Sequence, residues 1–390
     1  MRFRVALVVV LLALAGEASI PSAHTGGIEL SVMTRNQYFG GDLIAVAAAP
    51  DPASFIAAAR AVLFEMAANN FPERAQALAR EIAERRPHVV ALQEVAQLKL
   101  NDAVTGQPPF VDQLDLTLDA LKALGNPYVA VASVRNLTVS LPVDLSGDGY
   151  PDSLVSFMDR DVILARKDIV DAGRVAPAPL SDACPLPSDG GPGCNFINVA
   201  TANTPLGPIS LDRGFVGVDV TLGGRTFRVV NVHLEVESLS ASPLAPFYQS
   251  AQATELKAVL DATSAGVTLI VAGDINSTPV DSRFPDPESG PFMRPFRQLV
   301  GGVDLYGAPT PGGPYLDTWA LRPGSAPGYT CCDDTLLSES RTFTERKDVM
   351  FVRDLPTGLK ANIFGNDAAD KTPSGLWPSD HAGLLVRFVF

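Results

Sequence analysis

Basic residues are in short supply: Lys and Arg number 30 against 43 Asp and Glu, a formal net charge of −13 over 390 residues. Sequence-independent nucleic-acid binding rests on Lys and Arg neutralising phosphates, and no basic run of that kind is present. That argues against a tight DNA binder. It leaves a nuclease open, because a bound divalent cation can supply positive charge locally. Long apolar runs are also lacking: Val5–Ala15 falls short of the ~20 residues that span a bilayer, and no later stretch approaches that length. Histidine and cysteine occur 4 times each, with no His at ligand spacing from a Cys, which sets a zinc site aside. No repeat, linker or low-complexity tract divides the chain. Hydrophobic residues make up 46%, ample for one large core, and 32 Gly with 32 Pro imply many turns.

The first residues read as an export signal. Arg2 and Arg4 precede the apolar run and small residues follow, the pattern of a secretory signal over Met1–Ala18, with Ala15, Ala18 or Ala23 as the last residue removed. A secreted protein without a lipid anchor is expected, since no cysteine follows the run. Export makes the cysteines candidates for disulfides. Cys184 and Cys194 bracket CPLPSDGGPGC, and closing so short a loop contributes ~3 kcal/mol, so this pair is expected to form. Cys331 and Cys332 are adjacent and either bridge each other or cross-pair, and spacing does not choose among the three connectivities.

Periodicity then lays out the elements. IELSVM is a strand, residues 52–68 and 72–86 are helices divided at Phe71-Pro72, and HVVALQEV is a buried strand. A helix near 111–124 leads to the strand YVAVASV, followed by strands around 153–157 and 161–166. Residues 171–212, rich in Pro, Gly and Asp, read as an insertion loop. FVGVDVTL and RTFRVVNVHL form a hairpin about Gly223-Gly224. A helix over 247–263 precedes VTLIVA, and DVMFVR and GLLVRFVF are the last strands. Strands in runs with helices between them predict an α/β sandwich: two mainly antiparallel sheets packed face to face and flanked by helices, as one domain over 28–390.

One event recurs along this layout: apolar strands end on polar, chemically capable residues. Asn36 ends the first strand, Glu94 ends HVVALQEV, and alternation puts Asn231 and His233 on one face. Asp274 and Asn276 end VTLIVA, Asp348 begins DVMFVR, and Asp380-His381 precede the final strand. Each alone has an ordinary explanation in caps and turns. Together they place four acids, two imidazoles and three amides at or near strand ends, using two of the protein's 4 histidines.

The order Asn36, Glu94 in LQEV, His233 in NVHL, GDIN at 273–276, Asp348 in DVMFV and SDH at 379–381 resembles the endonuclease/exonuclease/phosphatase superfamily, from Leu30 to Phe390. The resemblance implies a four-layered α/β sandwich with the site at one end of the sheets. It implies Glu94, Asp380 and Asn36 around Mg²⁺, with Mn²⁺ able to substitute, Asp274 on the attacking water, and Asn276 donating to the phosphate. It places His381 and His233 on the phosphoryl oxygens, with Asp348 holding His381. The chemistry agrees: an anionic phosphodiester needs a cation on its oxygens and an activated water, and carboxylates suit a hard cation. Two departures from the family pattern stand out. Gln37-Tyr38 follow Asn36 where many family nucleases carry an acid, nearer to sphingomyelinase-like members, and DVMFV is less polar than usual.

The expected function is a secreted phosphodiesterase acting alone as a monomer. Within it, a phospholipid and a nucleic acid are both open as substrates, and a catalytically silent binding member is the rival from another class. A second metal site is also open. DLSGDGYPD places Asp144, Ser146, Asp148 and Asp152 at calcium-loop positions, though Val155 stands where the bidentate Glu belongs; a plain turn is the equal alternative. Asn136-Leu137-Thr138 matches a glycosylation acceptor. His88 is expected to be structural, His24 to lie in the N-terminal segment, and the aromatics of 243–248 to pack against the next helix.

Overall fold

Strands buried on both faces carry near-continuous apolar runs, and parity decides which layer each side chain enters. The computed structural model describes residues 27–102, 110–189, 191–237, 242–282 and 292–390; the expected signal and His24 lie outside them. In the strand Thr268–Asp274, Ile270 and Ala272 enter the layer between the sheets, while Leu269 and Val271 face the helix Ala245–Thr263. In Asp348–Val352, Met350 and Val352 face the partner sheet, and Val349 and Phe351 the helix side. In Glu29–Asn36, Leu30 and Val32 face inward, and Met33 meets Ala79 and Ile82 of the helix Phe71–Arg85. The result is helix, sheet, sheet, helix, the expected four layers. Each fully buried aliphatic side chain contributes about 1.5–3 kcal/mol.

One sheet runs in the order 358–364, 383–389, 29–36, 89–93, 153–166, 97–102, 110–112, with 128–143 also paired on 153–166. The other runs 316–317, 348–352, 268–274, 225–233, 214–222, 175–177. Near the middle of each lies a parallel pair: Glu29–Asn36 with Val89–Gln93, and Arg225–His233 with Thr268–Asp274. The hairpin turn at Gly223 and Gly224 has φ of 56° and 79°, the left-handed pair that a tight hairpin requires. Among the described residues no helix is long and apolar enough to cross a membrane.

Several expectations change in detail. The strands expected at 153–157 and 161–166 are one strand, Ser153–Arg166, paired along most of its length with Tyr128–Val143. Residues 171–212 are not a plain loop. Val175–Pro177 and Cys194–Asn195 pair on Gly214–Leu222, and Ala200–Thr204 and Gly207–Leu211 form a separate hairpin, so Pro and Gly punctuate short strands there. Cys184 is bonded to Cys194, with Cα atoms 5.7 Å apart, and Cys331 to Cys332.

At the calcium-loop spacing the carboxylates bond within their own segment. Asp144 accepts the N–H groups of Gly147 at 2.7 Å and Gly149 at 2.8 Å, and the Ser146 hydroxyl at 3.1 Å. Asp152 accepts from Leu145 and Ser146, and Asp148 from Tyr150. These oxygens close the loop on its own amides and do not converge on one centre; the Leu145 and Ser146 amides pull Asp152 down to about 2. Asn136 is buried and donates to Asp159 and Asp161, so it is not presented for glycosylation. His88 is structural, its Nδ1 accepting the Ser31 N–H at 3.1 Å. Phe247 packs edge-on against Tyr248 and Phe292.

Candidate active site

At one end of the inter-sheet layer the inward-facing positions turn polar without changing parity. Asn36 continues the series Leu30, Val32; His233 continues Phe227, Val229; Asp274 continues Ile270, Ala272; Asp348 stands before Met350, Val352. Strand pairing sets these ends side by side, with His233 opposite Asp274 and Asp274 opposite Asp348. Just below, Thr34, Gln93 and Asn231 bond across the gap, with Gln93 Nε2 donating to Asn231 Oδ1 at 2.6 Å. Asn231 Nδ2 donates to the Leu92 and Val162 carbonyls of the other sheet. This amide tier joins the sheets where the apolar packing stops.

Every residue singled out at the strand ends arrives in this cluster. Asn36 Nδ2 donates to Glu94 Oε1 at 2.9 Å and to Asp274 Oδ2 at 3.3 Å, while Asn36 Oδ1 accepts the Tyr38 N–H at 2.8 Å. Asn276 N–H donates to Asp274 Oδ1 at 2.9 Å, and its side-chain amide donates to the Leu234 carbonyl at 3.0 Å. His381 Nδ1 lies 2.7 Å from Asp348 Oδ2, and His381 Nε2 lies 3.8 Å from Asp274 Oδ2. His233 Nε2 stands 3.8 Å from the same oxygen. Gln37 is not part of the cluster; it donates to Thr117 in the helix layer.

The chain turns sharply to reach these positions. Glu94 and Asn276 adopt φ of 56° and 50°, as does Tyr38 at 56°, each within two residues of a strand end. Left-handed backbone at a non-glycine residue costs of order 1–3 kcal/mol and persists where the surroundings impose it. Gly273 explains the glycine of GDIN: a Cβ there would lie 1.9 Å from the Val232 carbonyl oxygen. Two buried arginines hold the segment before the last strand. Arg74 donates to the carbonyls of Gln37, Tyr38, Asn69 and Pro378, and Arg35 pairs with Glu81 and bonds the His381 carbonyl.

The two histidines differ in charge. Burial works against the His381 imidazolium, but Asp348, Asp380 and Asp274 outweigh it and push the group up to about 10. Burial, with Arg213 next, pushes His233 down to about 3. One is a cationic donor and the other a neutral ring. Burial alone would raise Asp274, yet His381 foremost, with the Asn276 amide, holds it below the usual carboxylate range. An ionised, oriented carboxylate beside a cationic imidazole can take a proton from water while the imidazole meets developing negative charge.

Two carboxylates are left over. Burial, with Asp380 next, pushes Glu94 up to about 8, and burial raises Asp380 above its ordinary value. Glu94 and Asp380 form a half-buried acidic pair in which His381, Arg74 and Arg341 offset the charge of Asp380 only in part, which fits a divalent cation. The ligand atoms of Asp274, Asp348 and His381 also lie within 4.8 Å of one another. There, however, His381 and Asp348 already use their facing atoms on each other. Cys332 Sγ lies 3.8 Å from His381 Nε2, a proximity that sequence spacing does not show, but both cysteine sulfurs are committed to their disulfide.

Sequence reading missed Asp159, Asp161, Arg213 and Glu235. Asp161 Oδ1 is 3.9 Å from His233 Nδ1, and Arg213 Nη1 is 3.1 Å from the same ring nitrogen. Asp159 and Asp161 keep the inward parity of Ile163 and Ala165, a signal hidden once residues 158–160 are read as a break. Beside Glu94 and Asp380 opens a cleft of 240 Å³ that Asp159, Arg213 and Glu235 also line.

Comparison with known proteins bears on the fold and family. The family model described as Endonuclease/Exonuclease/phosphatase family matches residues 62–381. Similar solved structures include a family protein from Bacteroides thetaiotaomicron, 16% identical with TM-score 0.50, covering 93% of this chain and 95% of that one. A family protein from Leptotrichia buccalis is 15% identical with TM-score 0.49, covering 93% and 100%. A humanized D. rerio TDP2 is 16% identical with TM-score 0.46, covering 93% and 99%. No curated protein sequence matches the chain.

Proposed function

The chain belongs to the endonuclease/exonuclease/phosphatase family, and from that premise we propose that it is a secreted, Mg²⁺-dependent phosphodiesterase working by in-line attack of water. The observation that carries this reading is the ionised Asp274 within 3.8 Å of His381, beside Glu94 and Asp380, whose carboxyls stay raised despite the nearby cations. Glu94 and Asp380 hold the cation, with Asn36 orienting Glu94 through its amide. A divalent cation there would supply Lewis acidity toward a phosphoryl oxygen, with Mn²⁺ able to replace Mg²⁺. Asp274 accepts a proton from the attacking water. His381 donates from Nε2 to an oxygen on which charge develops, and Asp348 holds the ring through Nδ1. Asn276 keeps one amide hydrogen on the Leu234 carbonyl, and its Nδ2, 3.4 Å from His233 Nε2, offers the other to the phosphate. Neutral His233 lines the water's side of Asp274. Secretion rests on the pattern Arg2, Arg4, Val5–Ala15.

The test is a screen of purified protein against supercoiled DNA, sphingomyelin, a chromogenic phosphodiester and the matching monoester, with Mg²⁺, Mn²⁺ or EDTA. Turnover of a diester above the monoester, abolished by EDTA, is expected. Turnover of no ester under any condition would leave a silent binding member.

A further inference from the structure

Resting on the phosphodiesterase reading, we propose that the cleft beside Glu94 and Asp380 seats a primary ammonium group carried by the substrate, between Asp159 and Glu235. Most of the cleft's other acids are already occupied. Asp333 is paired with Arg341 at 2.9 Å, Asp42 caps the Ile44 N–H at 2.9 Å, and Asp212 accepts the Ser210 hydroxyl. Glu94 and Asp380 belong to the cation. Asp159 and Glu235 differ: they are 4% and 1% exposed, both line the cleft, and Asp159 Oδ1 and Glu235 Oε2 have no hydrogen-bond partner. Each has its other oxygen held, Asp159 Oδ2 by Asn136 and Glu235 Oε1 by the Val236 N–H.

Charge points the same way. Asp159, Asp161 and Glu235 are buried beside Arg213, whose Nη2 stands 3.7 Å from Glu235 Oε1; with Arg160 also acting on Asp159, burial still holds Asp159 and Asp161 above the ordinary carboxylate value. Buried acids in excess of buried cations are costly unless a bound positive group compensates them. The orphaned oxygens need N–H or O–H donors, which a primary ammonium has and a trimethylammonium lacks. Leu43, Ile44, Leu137 and Val236 line the remainder of the cleft and suit a short carbon chain. A nucleic-acid strand would bring further phosphates toward these carboxylates and be repelled. The ligand class is therefore an aminoalkyl phosphodiester.

Three chromogenic diesters separate the possibilities: p-nitrophenyl phosphates whose second arm is ethyl, aminoethyl or trimethylammonioethyl, assayed with Mg²⁺. The expected kcat/KM for the aminoethyl ester exceeds that for the ethyl ester by about 10–100-fold, the range of hydrogen bonds to a charged group. The trimethylammonioethyl ester should fall between them. Glu235→Gln should shrink the aminoethyl-to-ethyl ratio. Ile44→Lys, at a position 41% exposed and therefore safe for folding, should shrink it by placing a competing ammonium in the cleft. Equal rates for all three esters would overturn the ammonium seat while leaving the phosphodiesterase reading intact. So would an equally good trimethylammonioethyl ester, or an Asp159→Asn variant whose only defect is a greater Mg²⁺ requirement, which would assign the oxygens to a second cation. No turnover of any of the three, with Mg²⁺ or Mn²⁺, would count against the phosphodiesterase reading itself.

Discussion

The layer between the two sheets has two ends, and the same strands furnish both. At one end Phe227, Phe388 and Phe390 pack with ring centroids 5.0 and 5.5 Å apart, and Arg225 lies over two of the rings. At the other, the same inward-facing positions carry Asn36, His233, Asp274 and Asp348. Neither parity nor pairing changes between them; only the side chains do. The apolar end holds the sheets together by burial. The polar end is held by the amide tier of Thr34, Gln93 and Asn231, and its chemical groups rest on a rigid base. The contrast yields a sharp expectation: substitutions at one end should cost turnover above all, and at the other stability with little turnover.

The largest effect belongs to the polar end. Asp274→Asn and His381→Ala are each expected to lower kcat by ~10²–10⁴-fold with little change in KM, because their roles arise in the transition state. Asp274→Asn should melt near the parent, whereas His381→Ala, which leaves Asp348 buried without its partner, should melt lower. Wild-type turnover in both variants would refute the site. Conversely, Phe227→Ala empties a fully buried site and is expected to cost about 3–5 kcal/mol in denaturant unfolding, with kcat of the folded fraction unchanged. A Phe227→Ala variant as stable as the parent but slow would break the division between the ends.

Glu94 tests the polar end more gently. If Glu94 holds the cation, Glu94→Gln should raise the Mg²⁺ concentration for half-maximal rate by at least about 10-fold, and added Mg²⁺ should recover part of the lost rate. A loss that no Mg²⁺ concentration relieves would give Glu94 a different role.

The two ends were not equally legible in the amino-acid sequence. The apolar end was read directly, since runs such as VTLIVA and DVMFVR can only be strands buried on both faces. At the polar end, residues that terminate an apolar run stood out: Asp274 after TLIVA, Glu94 after VVALQ, His381 before GLLVRFVF. Residues embedded in a strand did not. Asp159-Arg160-Asp161 reads locally as a polar break, and pairing with Tyr128–Val143 is what keeps it extended. Arg213 lies just past a segment whose Pro and Gly content masks its short strands, and Glu235 lies just past a strand end already represented by His233. The calcium spacing reads two ways for a related reason. Short-range carboxylate patterns serve a loop's own N–H groups as readily as an ion, and here they do.

The smallest effect concerns the strand Val89–Gln93, with His88 at its apolar end and Glu94 at its polar end. Burial, with Arg166 next, pushes His88 down to about 4 from an ordinary 6.5. Neutral Nδ1 accepts the Ser31 N–H at 3.1 Å, and a proton there would set two donors facing each other. Between those two pH values the unfolded chain binds a proton that the folded chain refuses, so stability falls as pH drops from 6.5 toward 4 and levels off below. Carboxylates elsewhere also titrate in this range, so the measurement is a difference. The melting temperature of the parent should fall more steeply from pH 7 to pH 4 than that of His88→Gln, whose amide cannot take up the proton. Because the ring is only partly buried, the gap in slope should be modest. The two proteins should share one pH profile of kcat, because His88 lies at the far end of the strand from the chemistry. Parallel melting curves would show that His88 carries its proton in the folded protein. A kcat profile altered by His88→Gln would mean that the two ends of the layer are not separate after all.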